Sequence, residues 1–99
     1  MIDLSGVAGF DWDEGNRHKN WINHAVSVSE CEETFFNLPL LLQSDAVHSH
    51  TERRFFVLGQ INAGRYLFIA FTLRGDKVRV ISARDMSKKE KDVYGKANP

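Results

Sequence analysis

Three runs rich in β-branched and aromatic residues follow one another closely, at 54–61, 65–73 and 77–84. Only Asn62-Ala63-Gly64 and Arg74 with the turn Gly75-Asp76 separate them. Loops of two or three residues containing glycine leave no room for a crossover helix, so neighbouring runs must fold back on each other as hairpins. The chain is thereby confined to folds that contain an antiparallel meander.

The remainder supplies the helices. Met1 to Gly9 is small and polar and reads as loose, or at most as an edge segment. Phe10-Asp11-Trp12-Asp13 follows, and either acid can cap a helix over 14–24 in which His18, Trp21, Ile22 and Ala25 share one face. Ser29-Glu30-Cys31-Glu32 has the form of a capping box for a second helix to about Asn37, closed by Pro39. Cys31 and Phe35, with Phe36 as a further candidate, point inward in that reading. The apolar stretch 38–42 can begin a first strand, and 43–51 reads as a loop or frayed edge. Ser87-Lys88-Lys89-Glu90 is another capping box, opening a short final helix to about Tyr94, and 95–99 is a tail. The expectation is a single α+β domain over residues 1–99. It has two N-terminal helices, a small antiparallel sheet of three to four strands, and a short C-terminal helix, with the helices collected on one side.

The 99 residues are 42% hydrophobic and 26% charged, ordinary values for a water-soluble domain, with no run near the ~20 apolar residues of a membrane span. No signal peptide is visible, and the lone Cys31 excludes an internal disulfide, so the expected location is cytoplasmic, away from membranes. Formal net charge is zero, but it is unevenly spread. Residues 1–73 hold 5 Lys/Arg against 9 Asp/Glu, and residues 74–99 hold 8 against 4. A basic terminal quarter on an acidic body suits a local anionic partner, although a solvated charged helix has the same composition.

Arginine is the residue best suited to a phosphodiester, because its planar fork meets two phosphate oxygens and stays charged. Arg54, Arg79 and Arg84 lie in or beside the predicted strands. Arg79 fits either an ion pair with a carboxylate such as Glu52 or an anion site. Strand alternation puts Arg79 and Arg84 on opposite faces unless the strand ends or bulges between them. Glu90 is already employed by its capping box, and Tyr94 can pack its ring on the sheet and offer its hydroxyl to a phosphate. Lys77, Lys88, Lys89 and Lys91 are candidates for RNA contacts or plain solvated charges. His24 can act in proton transfer or simply meet the dipole at its helix end. His48-Ser49-His50 invites a metal, but no further ligand pattern completes a site, so no metal or other cofactor is expected. A metal-free ribonuclease needs a base for the 2′-hydroxyl, an acid for the leaving oxygen, and cations for the charged transition state. The residue types for that chemistry are present.

At these residues the chain resembles the BrnT family of bacterial type II toxins, from Phe10 to Tyr94. The shared landmarks are Phe10-Asp11-Trp12-Asp13; Asn20 followed by His24 and Val26; Phe35-Phe36; Asp45 with His48-Ser49, Glu52 and Arg54; Leu58-Gly59; Phe71-Thr72 before Arg74-Gly75; Arg79 with Ile81-Ser82-Ala83-Arg84; and Glu90 with Tyr94. The resemblance implies a RelE-like α+β ribonuclease that cleaves RNA and stops growth. It implies neutralisation by a cognate antitoxin with a ribbon-helix-helix region, and contact with operator DNA only through that complex. The family's functional positions carry over to His24, Arg54, Arg79 and Arg84, with Glu90 and Tyr94 in support. The expected groove has the terminal stretch as one wall and Arg54 with His24 as the other. One departure stands out: the family's Lys-His-Gly-Val is here Asn23-His24-Ala25-Val26. Asn23 brings no charge to a phosphate, so the alternative reading is an impaired homologue that binds antitoxin or RNA without turnover.

Overall fold

The computed structural model describes residues 4–48 and 51–97. The expected sheet of three to four antiparallel strands is instead a mixed sheet of five, in the order β1-β5-β4-β3-β2. The three predicted runs are β3 (Arg54–Gln60), β4 (Tyr66–Arg74) and β5 (Lys77–Asp85), paired antiparallel. Gly64 and Gly75 take the positive φ values, 88° and 62°, that their turns need and that only glycine adopts without strain. The segment 41–45 joins as β2 (Leu41–Asp45), so part of the expected loop is strand.

The mixed character comes from β1 (Gly9–Phe10), which runs parallel to β5. Ala8 N–H donates to the Asp76 carbonyl at 2.7 Å and Asp11 N–H to that of Val78 at 2.8 Å. A two-residue strand has no alternation to betray it. It exists because the outer edge of β5 would otherwise leave backbone groups unpaired beside a core.

The rest of that edge is finished by side chains of α1 (Lys19–His24) and the turn before it. The Asn16 amide donates to the Val80 carbonyl at 3.1 Å, and Asn20 Oδ1 accepts from the Ala83 N–H at 2.9 Å. This reverses the expected helix face. Asn16 and Asn20 are buried, while Trp21 and Ile22 are 59% and 77% exposed. The unpaired strand edge needs hydrogen-bonding groups more than the core needs those two apolar side chains. Regular helix also begins at Lys19 rather than at residue 14.

The second helix, α2 (Val28–Phe36), is capped by Ser27 and not by Ser29. Ser27 Oγ accepts from Glu30 N–H at 3.1 Å and Glu30 Oε1 from Ser27 N–H at 2.9 Å. Glu32, the partner expected for Ser29, instead accepts from the Trp12 indole at 2.8 Å. Residues Val26 and Cys31 join Val57, Leu67, Ile69, Phe71, Val78, Val80 and Ala83 in the main core. Phe35 lies edge-on to Phe71 there, whereas Phe36 is exposed. Burial pushes the Cys31 thiol up to about 12, which leaves it an inert core group.

The helices are not all on one side. The last, α3 (Lys88–Ala97), covers the opposite face, where Tyr94, Met86 and Leu58 form a smaller core flanked by Leu41 and Phe68. It opens with the predicted box: Glu90 N–H donates to Ser87 Oγ at 3.2 Å, and Ser87 N–H to Glu90 Oε1 at 2.8 Å. It continues to Ala97, past the expected end near Tyr94. No helix among the described residues is long and apolar enough to cross a membrane.

Candidate functional site

The β5 strand carries a bulge that decides where its arginines point. Ala70 pairs with Ser82 and Phe71 with Val80, so Ile81 is the extra residue. The insertion resets the alternation. Val78, Val80 and Ala83 therefore all reach the main core, and Arg79 and Arg84 both belong to the other face. That face can be followed strand by strand. Asp45, Arg54, Thr72 and Arg79 form one row across β2, β3, β4 and β5. Gln43, Phe56, Ala70 and Ser82 form the next, and Leu41, Leu58, Phe68 and Arg84 the third. Arg54 and Arg79 are thus two strands apart, about 10 Å, and Arg84 lies about 13 Å further along.

Each β5 arginine is held by carboxylates. Arg79 makes a two-point contact with Asp13, Nη1–Oδ2 2.9 Å and Nη2–Oδ1 3.0 Å, and its Nη1 lies 3.5 Å from Asp11. The hydrogen bond from Arg79 holds the Asp13 carboxyl below its usual range. The predicted ion pair of Arg79 is therefore real in kind, but its partners are Asp11 and Asp13. Glu52 sits 3.9 Å from Arg74, and its charge acts on Arg79 from a greater distance. Arg84 makes the corresponding contact with Glu90, Nη1–Oε1 2.8 Å and Nη2–Oε2 3.0 Å. Its guanidinium lies 4.1 Å over the Phe68 ring. With a further hydrogen bond from Nη1 to the Asp85 carbonyl at 3.1 Å, three hydrogen bonds and a ring fix its plane, while a guanidinium with five N–H groups keeps donors in reserve.

The other predicted residues distribute unevenly. Glu90 is in the site, but its carboxyl is lowered by Arg84 and so is a held anion rather than an acid. Tyr94 is 3% exposed, and its hydroxyl donates to the Pro39 carbonyl at 2.6 Å; it anchors α3. His24 is not brought to Arg54 and Arg79. Its carbonyl accepts from Arg65, whose guanidinium also grips Asp85, about 17 Å along the sheet from the Arg79 row. Lys89 lines a groove of about 500 Å³ between α3 and β2, with Glu90, Phe56, Phe68 and Gln43. Lys77 is exposed where β5 begins, and Lys88 and Lys91 are exposed on α3. Ser49 and His50 of the proposed metal motif lie outside the described residues, among which no cluster of three or more metal-ligating side chains occurs.

Sequence reasoning passed over three features here. Asp11 and Asp13 are read as helix caps, although a second reading existed: acids next to a β5-pairing segment can reach β5 arginines. Phe56 and Phe68 are read as ordinary strand residues, yet they stack at 5.2 Å on the arginine face. The two-residue spacing of Phe56 from Arg54 on β3 is the available signal. Arg65 donates to the His24 and Ala25 carbonyls and pairs with Glu30 and Asp85, so it closes α1 onto the sheet. Nothing in its sequence neighbourhood marks that role.

No curated protein sequence matches this chain. Among solved structures, it resembles the crystal structure of the Brucella abortus ribonuclease toxin BrnT, with a TM-score of 0.54 and 20% identity. That match covers 81% of this chain and 97% of the Brucella one, and at such identity it speaks for a shared fold. A sequence profile described as "Ribonuclease toxin, BrnT, of type II toxin-antitoxin system" matches residues 12–90, a span that takes in Asp13, which holds Arg79, and ends at Glu90, which holds Arg84. A toxin of this type implies an antitoxin partner, and with most of its length matched the chain belongs to the BrnT family of ribonuclease toxins of type II toxin–antitoxin systems.

Proposed function

We propose that this protein is an endoribonuclease toxin that cuts single-stranded RNA by metal-independent acid–base chemistry on the face of the sheet bearing Arg54, Arg79 and Arg84. The observation that carries the reading is the bulge at Ile81, which brings all three arginines to one face. Three cations on one face suit a phosphodiester backbone, and guanidinium groups stabilise the charge that grows during 2′-hydroxyl attack. Of the carboxylates around the Arg79 row, Asp11 and Asp13 are held directly by Arg79 and Asp45 faces Arg54 in the strand register, whereas Glu52 makes only a loose 3.9 Å contact with Arg74 and acts on Arg79 from a distance; His24 lies at the far end of β5. The proposal therefore gives the base role to Glu52 and leaves His24 to substrate contacts. Lys77, Lys88, Lys89 and Lys91 extend the cationic surface. Growth arrest on expression, and neutralisation by a ribbon-helix-helix antitoxin that carries the complex to operator DNA, complete the reading.

The test is cleavage of single-stranded RNA by purified protein in excess chelator. Arg54→Gln and Arg79→Gln should each lower the rate, and each lost phosphate contact should flatten the salt dependence of RNA binding by about 0.7 in log–log slope. Full cleavage by the double variant, or loss of wild-type cleavage in chelator, would overturn the reading.

A further inference from the structure

The groove between α3 and β2 holds a stack that the cationic reading does not use. The β4 strand lies between β5 and β3, so Arg84 and Phe56 reach Phe68 from opposite sides. Arg84 sits 4.1 Å over the Phe68 ring, and Phe56 stacks on Phe68 at 5.2 Å with 24° between the planes. The column Arg84–Phe68–Phe56 ends at Phe56. Next to it on β2 is its register partner Gln43, an exposed carboxamide. Lys89 stands across the groove on α3.

Phe68 packs against the smaller core under α3, but Phe56 lies beyond that core, where a face that only met water would carry a polar side chain. Aromatic rings between cations are what an unpaired nucleobase requires: π-faces to stack on, and charges for the flanking phosphates. A protein segment would also value the apolar floor. The arginines of this face and the rim lysine favour an anionic chain, and the groove ends in a flat ring beside a carboxamide that can both donate to and accept from a base edge.

We propose that this groove is a nucleobase subsite, in which one unpaired base of single-stranded RNA stacks on Phe56, with Gln43 at its edge and Lys89 at the adjoining phosphate. The inference rests on the reading that this face engages RNA.

The experiment measures binding of the full chain to a short 2′-O-methyl oligoribonucleotide, which cannot be cut, and to an abasic oligomer of equal length. Phe56→Ala should weaken binding of the base-containing strand about tenfold or more and leave the abasic strand unchanged. Phe56→Tyr should bind as wild type, which also certifies the fold, and Phe56→Leu should behave as the alanine variant. Equal effects of Phe56→Ala on both strands, or none, would overturn the subsite. If Arg79→Gln still weakens binding in that case, the RNA-facing assignment survives without it. If neither oligomer binds wild-type protein, both fall. If Phe56→Ala spares RNA but releases the antitoxin, the groove is a protein dock and the subsite is rejected.

Discussion

Arg84 and Glu90 tie the end of β5 to the first turn of α3 through two parallel hydrogen bonds of 2.8 and 3.0 Å. The same carboxylate closes the helix cap by accepting from Ser87 N–H at 2.8 Å. One side chain therefore does two jobs: it starts α3 and it lays Arg84 flat on Phe68. The position of a cation on the candidate site depends on a helix cap.

The first prediction concerns pH. Arg84's hydrogen bonding to the ionised form holds the Glu90 carboxyl below its ordinary 4.5, against the opposing pull of burial. The unfolded chain thus takes up the proton first. The stability contributed by Glu90 is fully present above pH 4.5 and is lost as pH falls through the lower folded value. Glu90→Gln keeps an acceptor for the Ser87 N–H but removes the ionised pair, at a cost of about 0.5–1 kcal/mol near neutrality. Urea unfolding at descending pH should show wild type and variant converging below about pH 4.5. A gap that stays constant would contradict the assignment.

The capping box at Ser87, the two hairpin turns and the three long strands were legible because each rests on local chemistry: glycine at positive φ, a serine three residues before a glutamate, alternation over seven or more residues. What escaped was set by distant partners. Ser27 and Ser29 each stand three residues before a glutamate, and the tie is broken by Trp12, which claims Glu32. The inward face of α1 follows from an open strand edge, which no helical period encodes. Arg79 and Arg84 share a face only through Ile81, and a bulge leaves no mark in a run of β-branched residues. The arginines as candidates were thus readable from sequence, but the carboxylates and rings that set them were not.

Ala25 provides the second prediction. It follows α1 in the left-handed region, φ 53° and ψ 40°, where a Cβ is strained. Arg65 keeps the chain there by donating to the His24 and Ala25 carbonyls. Ala25→Gly relieves the strain and should raise stability by about 0.5–1 kcal/mol, visible as a higher urea midpoint with unchanged slope. An unchanged or lower midpoint would mean the residue relaxes at no cost.

The polar face of α1 gives the third. Asn20→Ala leaves the Ala83 N–H buried without its acceptor and should cost about 1–3 kcal/mol. Ile22→Ser, on the exposed side two residues away, should change stability by no more than about 0.5 kcal/mol. Thermal melts of the two variants decide between this arrangement and the apolar-inward helix expected from periodicity, which predicts the opposite order.

Gly59 gives the fourth. A Cβ there would stand 2.7 Å from Thr34 Cγ2 and 3.1 Å from Leu40 Cδ1, where α2 and the segment before β2 close on β3. Both neighbours are packed, so Gly59→Ala should destabilise the fold by about 1–3 kcal/mol. Thr34→Ser in the same chain removes the nearer methyl and should recover part of that loss. A double variant no better than the single one would place the strain elsewhere.

Asn23 bears on activity itself. It is exposed in the last turn of α1, where the resembling family carries lysine. A lysine here adds a cation beside His24 and also suits the negative end of the helix, so Asn23→Lys should fold at least as well as wild type. If that position meets developing charge in the transition state, its absence holds the present chain well below full rate, since a single electrostatic donor is worth about 10²–10³-fold. On that reading RNA cleavage by Asn23→Lys exceeds wild type by at least about tenfold, with Asn23→Gln unchanged as the control for length without charge. An inert wild type and an active lysine variant would identify this chain as an impaired toxin that still binds. Equal rates in all three would place the catalytic charge on the sheet arginines alone, with the end of α1 contributing only to the fold.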